Sequence, residues 1–182
     1  GNLGTNATIE FGSTTTGGTL VYTGAGETTD RSITLAGTTG GATITQSASS
    51  GQLVINGNVL APGTAAADNR KTLTLNGSAA GTGRPGGNVS NSLLGTAGQL
   101  TTAVTKNGTG TWTLSGNNLH TGGTNASGGT LIAASPGALG ATGAITNFDA
   151  TGAVLELATD SINAVILNEG SYKGAATLRL GR

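Results

Sequence analysis

Carboxylates that could cleave a glycan are few in this chain and scattered along it. Glycoside hydrolysis needs two carboxyl groups flanking the scissile bond. The acidic residues are Glu10, Glu27, Asp30, Asp68, Asp149, Glu156, Asp160 and Glu169. Only Glu27 with Asp30 and Glu156 with Asp160 are close in sequence. We interpret residues 27–31 as a turn with a local ion pair, and Glu156 as an outward strand residue between two leucines. Neither pair predicts a catalytic site.

Other reactive groups are equally isolated. His120 is the single histidine, and there is no cysteine, so the sequence lacks the ligand clusters that hold zinc. The glycine-rich stretch from Gly81 to Gly87 has no Lys-Ser/Thr ending of a phosphate loop, and we interpret it as a surface loop. The sequence therefore predicts no catalytic, cofactor-binding or metal-binding residue.

Composition excludes several further classes. Charged residues are 9% of the chain, aromatic residues 3%, and the formal net charge is +0. No basic surface is available for nucleic acid, and no apolar run is long enough to cross a bilayer, so we expect neither nucleic-acid binding nor membrane insertion. The sequence starts at Gly1 without a signal peptide, so we expect a processed product or a segment of a longer protein.

The elements that must position any site are short strands separated by glycine. Apolar and polar residues alternate, which indicates strands with one buried face, and Gly-Gly, Asn-Gly and Pro-Gly pairs mark turns. The predicted strands are Ala7–Phe11, Thr19–Thr23, Ser32–Ala36, Ala42–Gln46, Gln52–Val59, Thr72–Asn76, Leu100–Thr105, Thr111–Ser115, Thr130–Ala134, Ala144–Asn147, Ala153–Ala158, Ala164–Asn168 and Ala176–Leu180.

So many strands with such small side chains favour a solenoid over a sandwich. A sandwich needs bulky residues to fill a core about 10 Å thick, whereas a solenoid has a narrow cross-section in which like residues stack between coils. Because parallel crossovers prefer the right hand, we predict an all-β fold, a right-handed parallel β-helix. One domain, 1–182, would contain about seven to nine coils of roughly 20–25 residues and form a rod roughly 35–45 Å long.

Alternation also predicts the core. The residues expected to point inward are Ile33, Leu35, Ile44, Leu53, Ile55, Leu73, Leu75, Trp112, Leu114, Leu131, Leu155 and Leu157.

One segment, 104–132, is far more specific than the rest. Its characteristic residues are Lys106, Gly108, Gly110, Trp112, Leu114, Gly116, Asn117, Asn118, Gly122 and Gly123. This pattern resembles the autotransporter-associated β-strand repeat, also called the passenger-associated transport repeat, of bacterial surface proteins. His120 stands where that family usually has an aromatic residue, a departure expected to loosen an outward stack. The resemblance implies a right-handed β-helix, an extracellular or cell-surface location, and a role as stalk, adhesin or fibre, without catalytic residues.

The physics of the motif agrees with a structural role. Trp112 and Leu114 share one face of a strand, and the amides of Asn117 and Asn118 can cap backbone groups at a corner or stack as a ladder. A carbohydrate-stacking role for Trp112 is the alternative, although the indole has no aromatic neighbours in the sequence.

Three functions remain in competition. The first is a non-enzymatic structural protein that forms a stalk, fibre or filament by end-to-end stacking. Its partners would be copies of the chain, head to tail, or covalent neighbouring repeats. The ends would be formed by Ile9 and Phe11 and by Leu178 and Leu180, where no polar cap is evident. The second is an adhesin fragment that binds glycans or a host surface, and the third is a polysaccharide-active enzyme.

Overall fold

The computed structural model of the chain consists of strands and turns. It describes residues 6–63, 70–78, 80–91, 101–148, 150–163, 166–168 and 176–181. Within these ranges no helix is long and apolar enough to cross a membrane. The strands are β1 Thr8–Phe11, β2 Gly18–Tyr22, β3 Glu27–Thr29, β4 Ser32–Leu35, β5 Ala42–Gln46, β6 Gln52–Ile55, β7 Val59–Leu60, β8 Arg70–Gly77, β9 Thr82–Pro85, β10 Thr101–Lys106, β11 Thr111–Leu114, β12 Thr124–Ala126, β13 Thr130–Ala133, β14 Ile145–Asn147, β15 Val154–Leu157, β16 Ile166–Asn168 and β17 Thr177–Leu180.

These strands form three parallel sheets. The first sheet has the order β1-β4-β7, the second β2-β5-β8-β10-β12-β14-β16, and the third β3-β6-β9-β11-β13-β15-β17. Each strand pairs with its equivalent one coil later, for example Ile44 with Leu75 and Leu131 with Leu155. The second and third sheets each contain seven strands, so the chain makes seven coils. The predicted parallel β-helix is confirmed, and its right hand follows the general preference of parallel crossovers.

Coil length varies along the solenoid. Thr74 is the register partner of Thr43, 31 residues earlier, whereas Thr124 is the partner of Val104, only 20 residues earlier. The extra residues of the long coils fall between β7 and β8 and between β9 and β10. The predicted 20–25 residues per coil therefore hold for the later coils and not for the two long ones.

The core is a stack of aliphatic side chains along the axis. Strand β5 shows the alternation most clearly, because Ala42, Ile44 and Gln46 are buried and the threonines between them are not. Eleven of the twelve predicted core residues are buried. Leu157 is the exception: it packs against the core while staying partly exposed, because only the exposed strand β17 covers its strand on the next coil.

Two sequence interpretations of loops are wrong. Residues Thr82–Pro85, within the expected surface loop, form β9, and Glu27–Thr29, within the expected turn, form β3. In the same region the Arg31 guanidinium donates to the Thr8 carbonyl oxygen, and Asp30 accepts from the Asn56 amide. Both segments lack an apolar alternation, and they become strands because β6 lies between them and pairs with each. Strand β12 was not predicted either, and the expected strand Gln52–Val59 is divided into β6 and β7.

Candidate functional site

Trp112 joins two coils through its ring. It points inward from β11 and is 1% exposed, as predicted. Its Nε1 donates a hydrogen bond of 2.9 Å to the carbonyl oxygen of Asn76. The indole lies over Gly83 in the preceding coil, where a Cβ atom would come within 2.3 Å of Trp112 Cε3. A ring enclosed in this way cannot stack on an external sugar, so the geometry assigns Trp112 a packing role.

Lys106 is also turned inward, and it ties the corner that follows β10. Its Nζ donates to the carbonyl oxygens of Asn107 at 2.6 Å, Gly108 at 2.9 Å and Gly128 at 3.0 Å. Burial lowers the pKa of Lys106 to about 8, but an ammonium has three N–H groups and all three are used here. The lysine therefore stays charged at neutral pH and links two successive coils.

Lys71 plays a similar part that the sequence motif does not indicate. Its Nζ donates to the carbonyl oxygen of Leu35 at 2.5 Å and to that of Pro62. The side chain is fully buried, and burial lowers its pKa. The available signal was its inward position on the alternating strand β8, two residues before Leu73.

The asparagines of the motif form the corner ladder that their amides predicted. Asn118 Oδ1 accepts from the Val89 backbone N–H at 2.8 Å, and Asn118 Nδ2 donates to the Ala138 carbonyl oxygen at 2.6 Å. On the neighbouring exposed column, the Asn117 N–H donates to Asn88 Oδ1 at 2.8 Å. The ladder extends one coil further, because the Asn88 N–H donates to Asn58 Oδ1 at 2.9 Å.

The expectation that His120 forms an outward stack is wrong. The side chain is fully buried, and Nε2 lies 2.9 Å from Thr124 Oγ1. That hydroxyl donates its one proton to the Leu139 carbonyl oxygen, so Nε2 must carry the proton and Nδ1 must be bare. Nδ1 has no partner among the described residues, and burial lowers the pKa of His120 to about 4.

The remaining motif residues close the corners and the core. Gly108 and Gly123 have φ of 70° and 88°, which glycine adopts readily. A Cβ on Gly116 would lie 2.3 Å from the Gly87 carbonyl oxygen, and one on Gly122 would lie 2.5 Å from that of Thr102. The Gly110 N–H donates to the Gly77 carbonyl oxygen. Leu114 is fully buried.

Comparisons with known proteins agree with this geometry. The family model described as the passenger-associated transport repeat matches residues 104–133, the segment that contains Trp112 and Lys106. The chain carries a passenger-associated transport repeat. It is also similar to the adhesin BmaC autotransporter of Brucella suis biovar 1 (strain 1330), with 40% identity over 124 residues, or 67% of this chain. The chain spans 3% of the length of that relative, and no solved structure matches significantly.

These matches confirm the resemblance and the predicted extracellular or cell-surface location of this repeat-bearing chain. They support the coarser description of the chain as a segment of a surface passenger of the adhesin type.

Outside the repeat, the acidic residues are not assembled into a site. Glu156 forms an ion pair of 3.2 Å with Arg179 on the outer surface of the third sheet, as expected for an outward strand residue. Asp68, Asp149 and Glu169 lie outside the described residues. Among the residues that the structure describes, no group of three or more metal-ligating side chains is found.

The residues predicted to form the two ends differ in exposure. Phe11 is buried and Ile9 packs against the core. At the other end Leu178 is 44% exposed and Leu180 is 80% exposed.

Proposed function

We propose that this chain is a non-catalytic stalk segment of a cell-surface passenger, extended by end-to-end stacking of further coils on its open edge. The partner is a second copy of the chain, head to tail, or a covalently neighbouring repeat. The extended solenoid holds other parts of the passenger away from the cell.

The observation that supports this proposal is the last strand of the third sheet. All four residues of β17 are exposed. The N–H groups of Thr177 and Gly181 donate to β15 at the Ala153 and Leu157 carbonyl oxygens. In a parallel strand successive residues bond to opposite sides, so the backbone groups of Leu178 and Leu180 point away from β15. An open edge with apolar side chains is a template for another strand.

A proline scan of β17 tests the stacking. Leu178→Pro removes one donor from the open edge and leaves the bonds to β15 in place, a position that edge strands tolerate. Thr177→Pro is the matched control, because it removes the donor to Ala153 within the rod. We expect negative-stain images of the wild type to show rods joined end to end. Leu178→Pro should shorten these fibres without lowering Tm, whereas Thr177→Pro should lower Tm.

Two results would contradict the proposal: fibres of unchanged length in Leu178→Pro, or a wild type that stays monomeric at every concentration. In either case the alternative, an adhesin fragment that functions as single rods, would take its place. Absence of catalysis belongs to the same proposal, and hydrolysis of a polysaccharide that Glu156→Gln abolishes would refute it.

A further inference from the structure

The outer surface of the second sheet carries a regular column of small polar side chains. Consecutive coils contribute register partners to this column. Its members, from the first coil onward, are Thr19, Thr43, Thr74, Thr105, Asn125 and Asn147. Parallel strands lie about 4.8 Å apart, so hydroxyl and amide groups repeat at that interval along the axis. The hydroxyls of the four threonines make no hydrogen bond within the described residues.

Beside this column the surface is hollow because the adjacent outward positions carry little or no side chain. Gly17, Gly41 and Gly123 are glycines, and Ala103 and Thr72 are small. A Cβ on Gly41 would lie 2.3 Å from the Thr72 carbonyl oxygen, which shows how closely the backbones approach there.

Two depressions result, of about 380 Å³ and about 170 Å³. Thr74 lines the first and Thr105 the second, and the two residues are register partners. The depressions therefore form one axial trough, which we call the sheet-two trough.

The chemistry of the sheet-two trough selects its ligand. Arg70 is the one charged residue in the two linings, and no carboxylate is among them. Hydroxyls and amides both donate and accept hydrogen bonds, which complements a ligand covered in hydroxyls. A nucleic acid would require a basic groove. The outer surface of the third sheet differs, because it carries Glu156 and Arg179 as an ion pair.

We propose that the sheet-two trough binds a neutral, extended polysaccharide that lies along the solenoid axis, one sugar residue per coil or nearly so. This site goes beyond the stalk function and does not require stacking of coils. Without an aromatic platform each sugar is held weakly, so affinity arises from many subsites acting on one chain. The ligand in the test must therefore be a polymer.

Affinity electrophoresis in gels containing a neutral polymer measures this binding. We would use mixed-linkage β-glucan, galactomannan and dextran, with alginate as the acidic comparison. At least one neutral polymer should retard the wild type, and alginate should retard it less.

The variant that tests the site combines Thr43→Val, Thr74→Val and Thr105→Val, which keeps the β-branched shape and removes three hydroxyls. Its association constant should fall by about tenfold or more because three subsites are lost together. The matched control combines Thr82→Val, Thr111→Val and Thr130→Val in a register column of the third sheet. It should bind within about twofold of the wild type, since those side chains lie on another face.

A second variant guards against a folding defect in the triple substitution. Thr74→Arg places a long side chain into the trough from one exposed position, and Thr130→Arg does the same on the third sheet. With circular dichroism unchanged in both, only Thr74→Arg should abolish retardation. The proposal is overturned if no neutral polymer retards the wild type, if alginate binds more tightly, or if the two sheets' variants lose binding equally.

Discussion

At the scale of single residues, the motif works by pairing a large side chain with an absent one. Trp112 fills the space that Gly83 leaves in the preceding coil, and its Nε1 satisfies a carbonyl oxygen of Asn76. Buried polar groups left without a partner cost free energy, so the ring contributes both packing and hydrogen bonding. The repeat thereby fixes the register between adjacent coils.

Substitution of Gly83 tests that pairing. Gly83→Ala places a methyl group against the indole and should lower the free energy of unfolding by about 1–3 kcal/mol, as overpacking does. Gly86→Ala is the matched control, because a Cβ there would meet nothing closer than the Asn56 Oδ1 at 3.2 Å. Its effect should stay within about 0.5 kcal/mol. Equal urea midpoints for the two variants would show that the ring does not need Gly83.

His120 makes stability depend on pH. Its pKa is about 4 in the folded chain against 6.5 for an unperturbed histidine, so only the unfolded state takes up the proton between these values. The stabilisation is complete above pH 6.5 and is lost as pH falls towards 4. The loss should reach about 3 kcal/mol.

His120→Phe isolates this contribution, because it keeps an aromatic ring and removes the titrating group. Urea unfolding at several pH values should show a shallower decline for His120→Phe than for the wild type between pH 6.5 and 4. Parallel curves for the two proteins would contradict a buried neutral histidine.

Sequence reasoning reached the inward direction of Trp112 but not its partners. Alternation within β11 shows on which face the ring lies. Gly83 and Asn76 are 29 and 36 residues earlier, and nothing local to them marks a contact with an indole. The same limit explains His120: its position after the asparagine corner does not show that Gly140 and Leu139, one coil later, cover it.

At the scale of elements, strand β11 offers a direct test of the inward register. Leu114 is fully buried, while Leu119, a few residues further on, is 55% exposed. Leu114→Ala should cost about 2–5 kcal/mol, and Leu119→Ala should stay within about 0.5 kcal/mol. Thermal unfolding of both variants measures the difference. An unchanged Tm for Leu114→Ala would show that the register is wrong.

The predicted strands succeeded where the side chains themselves carry the pattern. Strand β5 has the predicted bounds, because apolar and polar residues alternate through Ala42–Gln46. Strand β9 contains a glycine, an arginine and a proline, so its sequence favours a loop. It is extended because β6 on one side and β11 on the other supply backbone partners, and that information lies outside the segment.

At the scale of the whole molecule, the chain behaves as a one-dimensional stack. Each strand pairs with its equivalents in adjacent coils, so stability comes from contacts between neighbours. Composition predicted this architecture, since small side chains suit a narrow core. The lengths of individual coils were not predictable, because the extra residues before β8 and β10 show no change in composition that marks them as insertions.

The distance between coils is the most direct test of the stacked architecture. The chain has no cysteine, so spin labels can be placed at chosen positions by single cysteine pairs. Thr19 paired in turn with Thr105, Asn125 and Asn147 spans three, four and five strand spacings of the second sheet. Electron-electron resonance should give backbone separations of roughly 14, 19 and 24 Å, rising by about 4.8 Å per coil. Separations that do not rise with coil number, or broad distributions for all three pairs, would contradict the parallel solenoid.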